Sequence, residues 1–169
     1  MSVYTPEDVK VVLNLYRRTE SDIEYESERL DRIESKLYGV GGQVLSDMPK
    51  SPSPEVDRFT GMIVKRDALK SAINAMNISQ KKRREIIEKV LRKLRRSDEK
   101  AVIEMRYIDK EEWPDVIYMM YGNREDFLDR EDVYLSRAHK IHGYALKEIS
   151  TLLNESEEDN MAFSTIENL

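Results

Sequence analysis

The chain contains no cysteine, and glycine and proline are scarce, with six and five residues among 169. Without cysteine it can form neither a disulfide framework nor a thiolate metal site, which suits a reducing compartment. No stretch approaches the roughly 20 apolar residues that span a bilayer, and the first residues, MSVYTPEDVK, lack the regions of a signal peptide. We therefore expect a cytoplasmic protein with no membrane partner.

The motifs of common catalytic sites are also missing. The sequence has no phosphate-binding GxxxxGKS/T loop, no GxSxG elbow and no GxGxxG fingerprint. His139 and His142 are three residues apart, but no cysteine or carboxylate at the usual ligand spacing completes a metal site. We expect no catalytic residue, no metal and no cofactor, and hence not an enzyme.

What is present predicts an all-α fold, because 36% of the residues are charged and helix breakers are few. Thr5, Pro6 and Asp8 resemble a capping box and predict a helix start. Apolar residues then recur every seven positions, with two more in a second seam: Val9, Tyr16, Ile23, Leu30 and Leu37, then Leu13 and Ile33. The glycine-rich GVGG at 39–42 ends this helix, and a loop follows to about residue 54.

A second helix is predicted over about 54–95, with a bend or break where its apolar stripe thins at 77–85. Two long helices joined by a loop indicate a coiled-coil-like helical hairpin over residues 1–96. Such arms commonly serve as spacers or dimerisation elements, so we expect a homodimer or higher homo-oligomer.

Positive charge is concentrated at the end of the second predicted helix. Residues 81–96 carry nine Lys or Arg and two Glu, a net charge of +7 in a chain whose total is −5. A solvated helix face would account for such a run. Its position directly before the next segment favours a nucleic-acid contact instead, made by Lys81, Lys82, Arg83, Arg84, Arg95 and Arg96.

Residues 97–150 predict three further helices. SDEKAVIEMRYI starts with a capping Ser97, WPDVIYMMYG carries a first-turn proline and ends at Gly122, and EDVYLSRAHKIHGYALKEI has one apolar face. A short helix, a turn and a longer helix are the parts of a helix-turn-helix. The expected core of this unit is Trp113, Val102, Met105, Val116, Met120, Ile141 and Ala145, with Trp113 as the large side chain that fills it.

The order LRRSDEKAVIEMRYIDKEEWPDVIYMMYG, followed by AHKIHGYALKEI, resembles region 4 of the bacterial sigma-70 family. Most of residues 10–150, including the LSDMPKSPSPEVD loop, is similar to the ArpU and RinA type of late-gene transcription regulators from phages and prophages of Gram-positive bacteria. The resemblance implies a DNA-binding activator of late genes in a bacterial host cell, with double-stranded DNA as partner and host RNA polymerase as a further candidate.

Counting back from Ala145 and Leu146, the sigma-like pattern implies that Ser136, Arg137, His139 and Lys140 face DNA, with Tyr134 near the helix start. Arg130 joins this set from REDFLDRED, an acidic insertion at 124–132 that the sigma pattern lacks. Residues 97–149 hold 13 acids and 8 bases, so the basic run has to supply the missing attraction for phosphates.

Two other functions compete with the transcription regulator. A phage small terminase subunit also combines a helix-turn-helix with a coiled coil, although its DNA-binding unit is usually N-terminal. A helical adaptor that binds only protein would explain the acidic helix-turn-helix. Residues 151–169 are acidic at their start and poorly periodic, which predicts a flexible tail.

Overall fold

The computed structural model describes residues 3–40 and 54–169, and these residues form an all-α fold without any strand. The helices are α1 (Pro6–Val40), α2 (Pro54–Leu91), α3 (Ser97–Ile103), α4 (Trp113–Tyr121), α5 (Glu131–Glu155) and α6 (Glu157–Ser164). A π-helical segment, Glu104–Ile108, follows α3, and a short 3-10 helix, Ile166–Asn168, follows α6. None of the described helices combines the length and the apolar character needed to cross a bilayer.

The start of α1 is a reciprocal capping box. The backbone N–H of Asp8 donates to Thr5 Oγ1 at 3.2 Å, and the backbone N–H of Thr5 donates to Asp8 Oδ2 at 2.8 Å. These bonds satisfy donors that a helix start otherwise leaves unpaired. The Thr5 hydroxyl also donates to Asp8 Oδ2, at 2.6 Å, and this bond together with that from the Thr5 N–H lowers the pKa of the Asp8 carboxyl. The predicted start is confirmed, whereas the loop predicted for residues 43–54 lies mostly outside the described residues.

Helix α2 does not break where its apolar stripe thins. It is continuous through residues 77–85, and Gln80 and Arg83 turn inward there at 4% and 8% exposure. The Gln80 side-chain amide donates to the Tyr16 carbonyl oxygen at 2.9 Å. Buried polar side chains with partners replace apolar ones in this part of the seam. The predicted break is therefore wrong, and its alternative, a bend, stays a prediction.

The chain divides into two compact units. Unit 1 combines residues 1–19 with 80–169, and unit 2 comprises residues 20–79. The sequence instead predicts a boundary at residue 96. That boundary differs from the structural division because both α1 and α2 contribute their ends to the core of unit 1.

The core of unit 1 joins elements far apart in the chain. It is made of apolar side chains from α1, α2, α3, α5, α6, the π-helical segment and the 3-10 helix, among them Val9, Leu13, Tyr16, Ile87, Leu91, Ile149 and Phe163. The stripe predicted for α1 is buried at Val9, Tyr16, Ile23 and Leu37, and half-buried at Leu30. Helix α5, which carries most of the candidate site, packs its apolar face into this core.

Helices α3 and α4 both pack against α5. Four of the seven predicted core residues, Val102, Val116, Ile141 and Ala145, are buried, while Met105, Met120 and Trp113 are only half-buried. The centre between α4 and α5 is instead a cluster of Ile117, Tyr121, Phe127, Tyr134 and Ala138, with Trp113 at its edge. Trp113 is therefore not the side chain that fills this core.

Gly122 follows α4 as predicted, but for a different reason. Its φ is −57°, so no left-handed turn is required. A Cβ atom at this position would lie 2.5 Å from the carbonyl oxygen of Tyr118, which accepts a hydrogen bond from the Gly122 N–H. The glycine is needed for this close approach.

Residues 151–169 form no loose tail. They complete α5, form α6 and the last 3-10 helix, and bury Leu153, Phe163 and Ile166 in the core of unit 1. The N–H of Asp159 donates to the Ser156 side chain, which caps α6. The expected flexible tail is thus corrected, because a few apolar side chains anchor an otherwise acidic segment.

Candidate nucleic-acid interface

Helix α5 is amphipathic, and its polar face carries most of the predicted DNA-facing side chains. Ala138, Ile141, Ala145 and Ile149 lie on the buried face. Ser136, Arg137, His139 and Lys140 are all exposed. The structure brings Ser136, Arg137 and Lys140 together at one cleft, whereas His139 lies on a different flank of α5, beside Trp113.

Tyr134 does not belong to this polar face. It is 7% exposed, and its ring lies 4.8 Å from that of Tyr121 and 5.8 Å from that of Phe127. Its hydroxyl donates to Asp126 Oδ1 at 2.7 Å, and this bond lowers the pKa of the Asp126 carboxyl. The prediction of Tyr134 as a DNA contact is corrected, since the side chain ties α5 to the 122–130 connection.

Arg137 and Arg130 differ in the side chains that surround their guanidinium groups. The Arg137 guanidinium lies 6.0 Å from the Tyr134 ring centroid, at the outer limit of a cation–π contact. Arg130 is exposed, but its Nη1 donates to Asp126 Oδ2 at 3.0 Å. Arg130 is thus partly neutralised within the acidic connection, whereas Arg137 is available on the surface of α5.

His139 and His142 perform different tasks. The His139 ring lies 4.1 Å from that of Trp113, and the Arg106 guanidinium lies 5.4 Å from the same indole. His142 is buried and its Nε2 shares a 2.9 Å hydrogen bond with Tyr107 Oη. Burial, with the nearby basic side chains Lys10, His139 and Arg106, lowers the pKa of His142 to about 4, so its imidazole is neutral at pH 7.

Within the described part of the chain, no three His, Asp or Glu side chains come together as metal ligands. Burial raises the pKa of Tyr107 to about 12. Its hydroxyl is therefore protonated at pH 7 and can donate to the neutral His142. The sequence-based prediction missed this buried pair, whose two members are 35 residues apart.

Two shallow clefts lie along the polar face of α5. The first is lined by Asp132, Val133, Ser136, Arg137 and Lys140. The second is lined by Arg96, Glu99, Tyr144, Lys147, Glu148 and Thr151. Arg96 is the last residue of the basic run that begins in α2. The second cleft therefore connects that run to α5, the helix that carries Arg137.

Tyr144 and Lys147 are functional candidates that the sequence-based prediction did not select. Arg137, Lys140, Tyr144 and Lys147 follow one another at intervals of three, four and three residues, which places them on one helical stripe. Tyr144 is 58% exposed. The spacing alone could have identified this stripe.

The basic run divides between structural and surface roles. Arg83 donates from Nε to the Ile166 carbonyl oxygen at 3.0 Å and from Nη1 to Thr19 Oγ1 at 3.2 Å. Lys93 pairs with Asp159, and Lys89 pairs with Glu158 at 2.6 Å. The prediction of Arg83 as a DNA contact is corrected, because this guanidinium satisfies buried carbonyl and hydroxyl oxygens.

The remaining predicted members of the run are exposed. Arg84 pairs with Glu88 at 2.8 Å, and Arg96 pairs with Asp98 at 2.7 Å. Lys81, Lys82 and Arg95 are also exposed. Because several cations of the run are paired with acids, the local net charge of +7 overstates the positive charge that this segment presents to a ligand.

Compared with protein-family models, with curated proteins and with solved structures, the chain finds no match.

Proposed function

We propose that the protein is a DNA-binding transcription regulator whose helix α5 reads double-stranded DNA. The observation that supports this most directly is the stripe of Arg137, Lys140, Tyr144 and Lys147, which continues through the second cleft to Arg96. Cationic side chains on one exposed helix face can contact phosphates on both sides of a major groove while others reach base edges. The opposite face of α5 is held by α3 and α4, so the helix is presented rigidly.

In this proposal α4, the connection at 122–130 and α5 act as a helix-turn-helix. The connection is longer than the usual three or four residues, and buried Phe127 packs it against the α4–α5 cluster. A packed connection can keep the two helices in register despite its length. The likeness to sigma region 4 and to the ArpU and RinA regulators supports a role as an activator of phage or prophage late genes.

The charge distribution sets the expected strength of binding. The first cleft has two basic side chains against one acid, and in the second, two bases oppose two acids. Phosphate contacts supply most of the affinity of DNA-binding proteins, so a single copy should bind weakly and with a clear dependence on salt. Two copies on adjacent half-sites would double the number of contacts.

The experiment is a titration of labelled duplexes that tile the DNA flanking the gene, measured by fluorescence anisotropy at two salt concentrations. Lys140→Gln and Lys147→Gln should each lower the salt slope by roughly 0.9 for every phosphate that the variant no longer neutralises. Lys65→Gln, an exposed residue of unit 2, is the matched control and should leave the slope unchanged. Slopes equal to that of the control for both variants would remove α5 from the interface.

An adaptor that binds only protein is the second candidate, and exposed apolar side chains favour it. Tyr118 is 67% exposed, Met119 59% and Leu128 83%, and the Tyr118 ring lies 6.0 Å from that of Phe127. Exposed aromatic and methionine side chains are common at protein interfaces. Absence of binding to every duplex at low salt would make this adaptor the better explanation.

A further inference from the structure

The described residues of unit 2 bury few of their apolar side chains. Among its described side chains, only Ile23, Leu37 and Ile73 are buried, at 7 to 8% exposure. Leu30, Ile33, Leu69 and Met76 remain half-buried. Long helices gain most of their stability from tertiary packing. These half-buried side chains therefore leave apolar surface that a further partner can cover.

The open surface is a groove between the two helical segments of unit 2. Its α2 side is apolar, with Leu69, Ile73 and Met76. Its α1 side carries Asp22, Glu26 and Arg29 around Tyr25, which is 59% exposed. A large exposed aromatic beside an apolar groove is typical of a residue that inserts into a partner.

The charges on the α1 side of the groove are self-complementary. Asp22 and Arg29 are seven residues apart, so they lie on one side of α1, with Tyr25 and Glu26 between them. When a second α1 lies antiparallel, with a two-fold axis between Tyr25 and Glu26, each Asp22 faces Arg29 of the other copy. A two-fold axis two residues later, between Ser27 and Glu28, would instead pair Arg29 with Glu26 and would leave Asp22 opposite Ile33.

We propose that this groove is the interface of a homodimer in which two copies of α1 pair antiparallel across a two-fold axis. Tyr25 of each copy packs over Leu69, Ile73 and Met76 of the other, and Asp22 pairs with Arg29 at both ends. The intrahelical pair of Arg29 with Glu26, at 3.3 Å, orients the guanidinium toward this side of the helix. A two-fold interface uses the same patch twice, which is what a self-complementary charge pattern supplies.

A second copy fits this groove better than an unrelated helix does. An unrelated helix would need an acid and a base two turns apart, with an aromatic between them, to match the groove equally well. A second copy brings this pattern by symmetry. The groove residues form the centre of the contact, since standard interfaces take about 20 to 30 residues from each partner.

The test is a set of charge reversals measured by sedimentation over protein concentrations from about 1 to 100 µM. The wild-type chain, of 19.9 kDa, should approach twice its monomer mass at the upper end. Asp22→Arg or Arg29→Asp alone places like charges at both ends and should weaken dimerisation about tenfold or more. The double reversal should return it to near the wild-type value, and an equimolar mixture of the two single variants should form a heterodimer.

Asp31→Arg is the matched control, because Asp31 is exposed and does not line the groove. It should dimerise like the wild type, and circular dichroism should show equal helix content in all variants. The proposal is overturned if the wild type stays monomeric, if it forms a larger ring, or if the single reversals dimerise as strongly as the control. None of these measurements involves α5, so the fate of the DNA-binding proposal does not affect them.

Discussion

Two tyrosines of α5 show how the position of a residue on the helix determines whether its side chain is buried or exposed. Tyr134 is buried and donates a hydrogen bond to Asp126, while Tyr144, ten residues later, is 58% exposed between Lys140 and Lys147. Ten residues amount to nearly three turns, and the remaining rotation of about 80° moves the side chain from the core to the surface. Tyr134 therefore stabilises the helix that presents Arg137, and Tyr144 is available to a ligand.

Arg137 is the residue whose loss should change sequence preference. Arg137→Ala is expected to remove on the order of 1 to 3 kcal/mol of specific DNA binding if the guanidinium makes a bidentate contact with guanine. Preference should relax at one base pair, and the thermal stability should change little, because the side chain lies on the surface of α5. Binding to the specific duplex and to a scrambled one, alongside thermal melting, measures both effects.

The opposite pattern is expected for Tyr134→Phe, which serves as the comparison. It leaves Asp126 without the hydroxyl donor and should lower stability by about 1 kcal/mol. Its ratio of specific to scrambled binding should stay at the wild-type value. An unchanged ratio in Arg137→Ala as well would mean that this arginine does not read a base.

His142 gives the stability a predictable dependence on pH. Its pKa is about 4 in the folded chain, below the ordinary value of 6.5, because the imidazole is buried. The unfolded chain therefore binds a proton first as the pH falls below 6.5, and the native state loses stability between pH 6.5 and 4. At pH 5 the loss from this group should be about 2 kcal/mol relative to pH 7.5.

Chemical unfolding at pH 7.5 and pH 5 tests this expectation. His142→Gln should lose less stability between the two pH values than the wild type does, because glutamine does not titrate. The more exposed His139→Gln is the comparison and should reduce the difference less than His142→Gln does, because burial is a larger cause of the lowered His142 pKa than the nearby His139. Equal pH dependence in all three chains would show that His142 is not buried as a neutral imidazole.

Among the helices, α6 determines how much of the positive charge of the basic run is paired with acids. Asp159 is 2% exposed, pairs with Lys93 and lies 3.5 Å from Lys89 through Oδ1. These pairs neutralise part of the run, although both lysines remain about 40% exposed and are screened by solvent. Apolar burial of Phe163 and Ile166 is therefore the main force that holds the segment.

Phe163 should be the most costly side chain to remove from this segment. It is 1% exposed and its ring lies edge-on to Tyr4 at 5.3 Å. Phe163→Ala should cost about 3 to 5 kcal/mol of unfolding free energy, through reduced burial and the cavity left behind. Met161→Ala, on the same helix at 62% exposure, should stay within about 0.5 kcal/mol in the same urea titration. Similar stabilities for the two variants would indicate that the segment is not packed in the core.

For the whole molecule, unit 1 is assembled from both ends of the chain. Ala145, Leu146 and Ile149 of α5 share one core with Val9 and Leu13 of α1 and with residues of α2. The helices that carry the candidate interface therefore depend on residues before 20 and after 80 for part of their burial. A boundary at residue 96 would cut through this core.

A fragment of residues 97–150 should consequently fail to fold cooperatively by itself. Much of the apolar face of α5 would be exposed to water, which a segment of about 50 residues cannot offset. A chain that joins residues 1–19 to 80–169 by a short glycine-serine linker should fold, since Gln80 and Arg83 already contact Tyr16 and Thr19. Calorimetry of the two chains provides the comparison, and a sharp transition in the 97–150 fragment would contradict the shared core.

The sequence by itself was sufficient for features that depend on neighbouring residues. Thr5 and Asp8 predicted the start of α1, Pro114 and Gly122 bracketed α4, and the apolar spacing of α5 separated Ala138 and Ala145 from Arg137 and Lys140. Caps, prolines and helical periodicity act within a few residues, so local patterns report them directly. The all-α fold follows from the same signals.

Only the tertiary structure decided which side chains of these helices remain on the surface and which are taken into the core. Arg83 bonds to Ile166, 83 residues away, Lys93 pairs with Asp159, 66 residues away, and Trp113 lies at the edge of a cluster that Tyr134 helps to fill. The acidic, weakly periodic segment 151–169 packs into the core through contacts of the same long-range kind. Burial and charge pairing depend on distances in space, and contacts between segments this far apart leave no trace in local spacing.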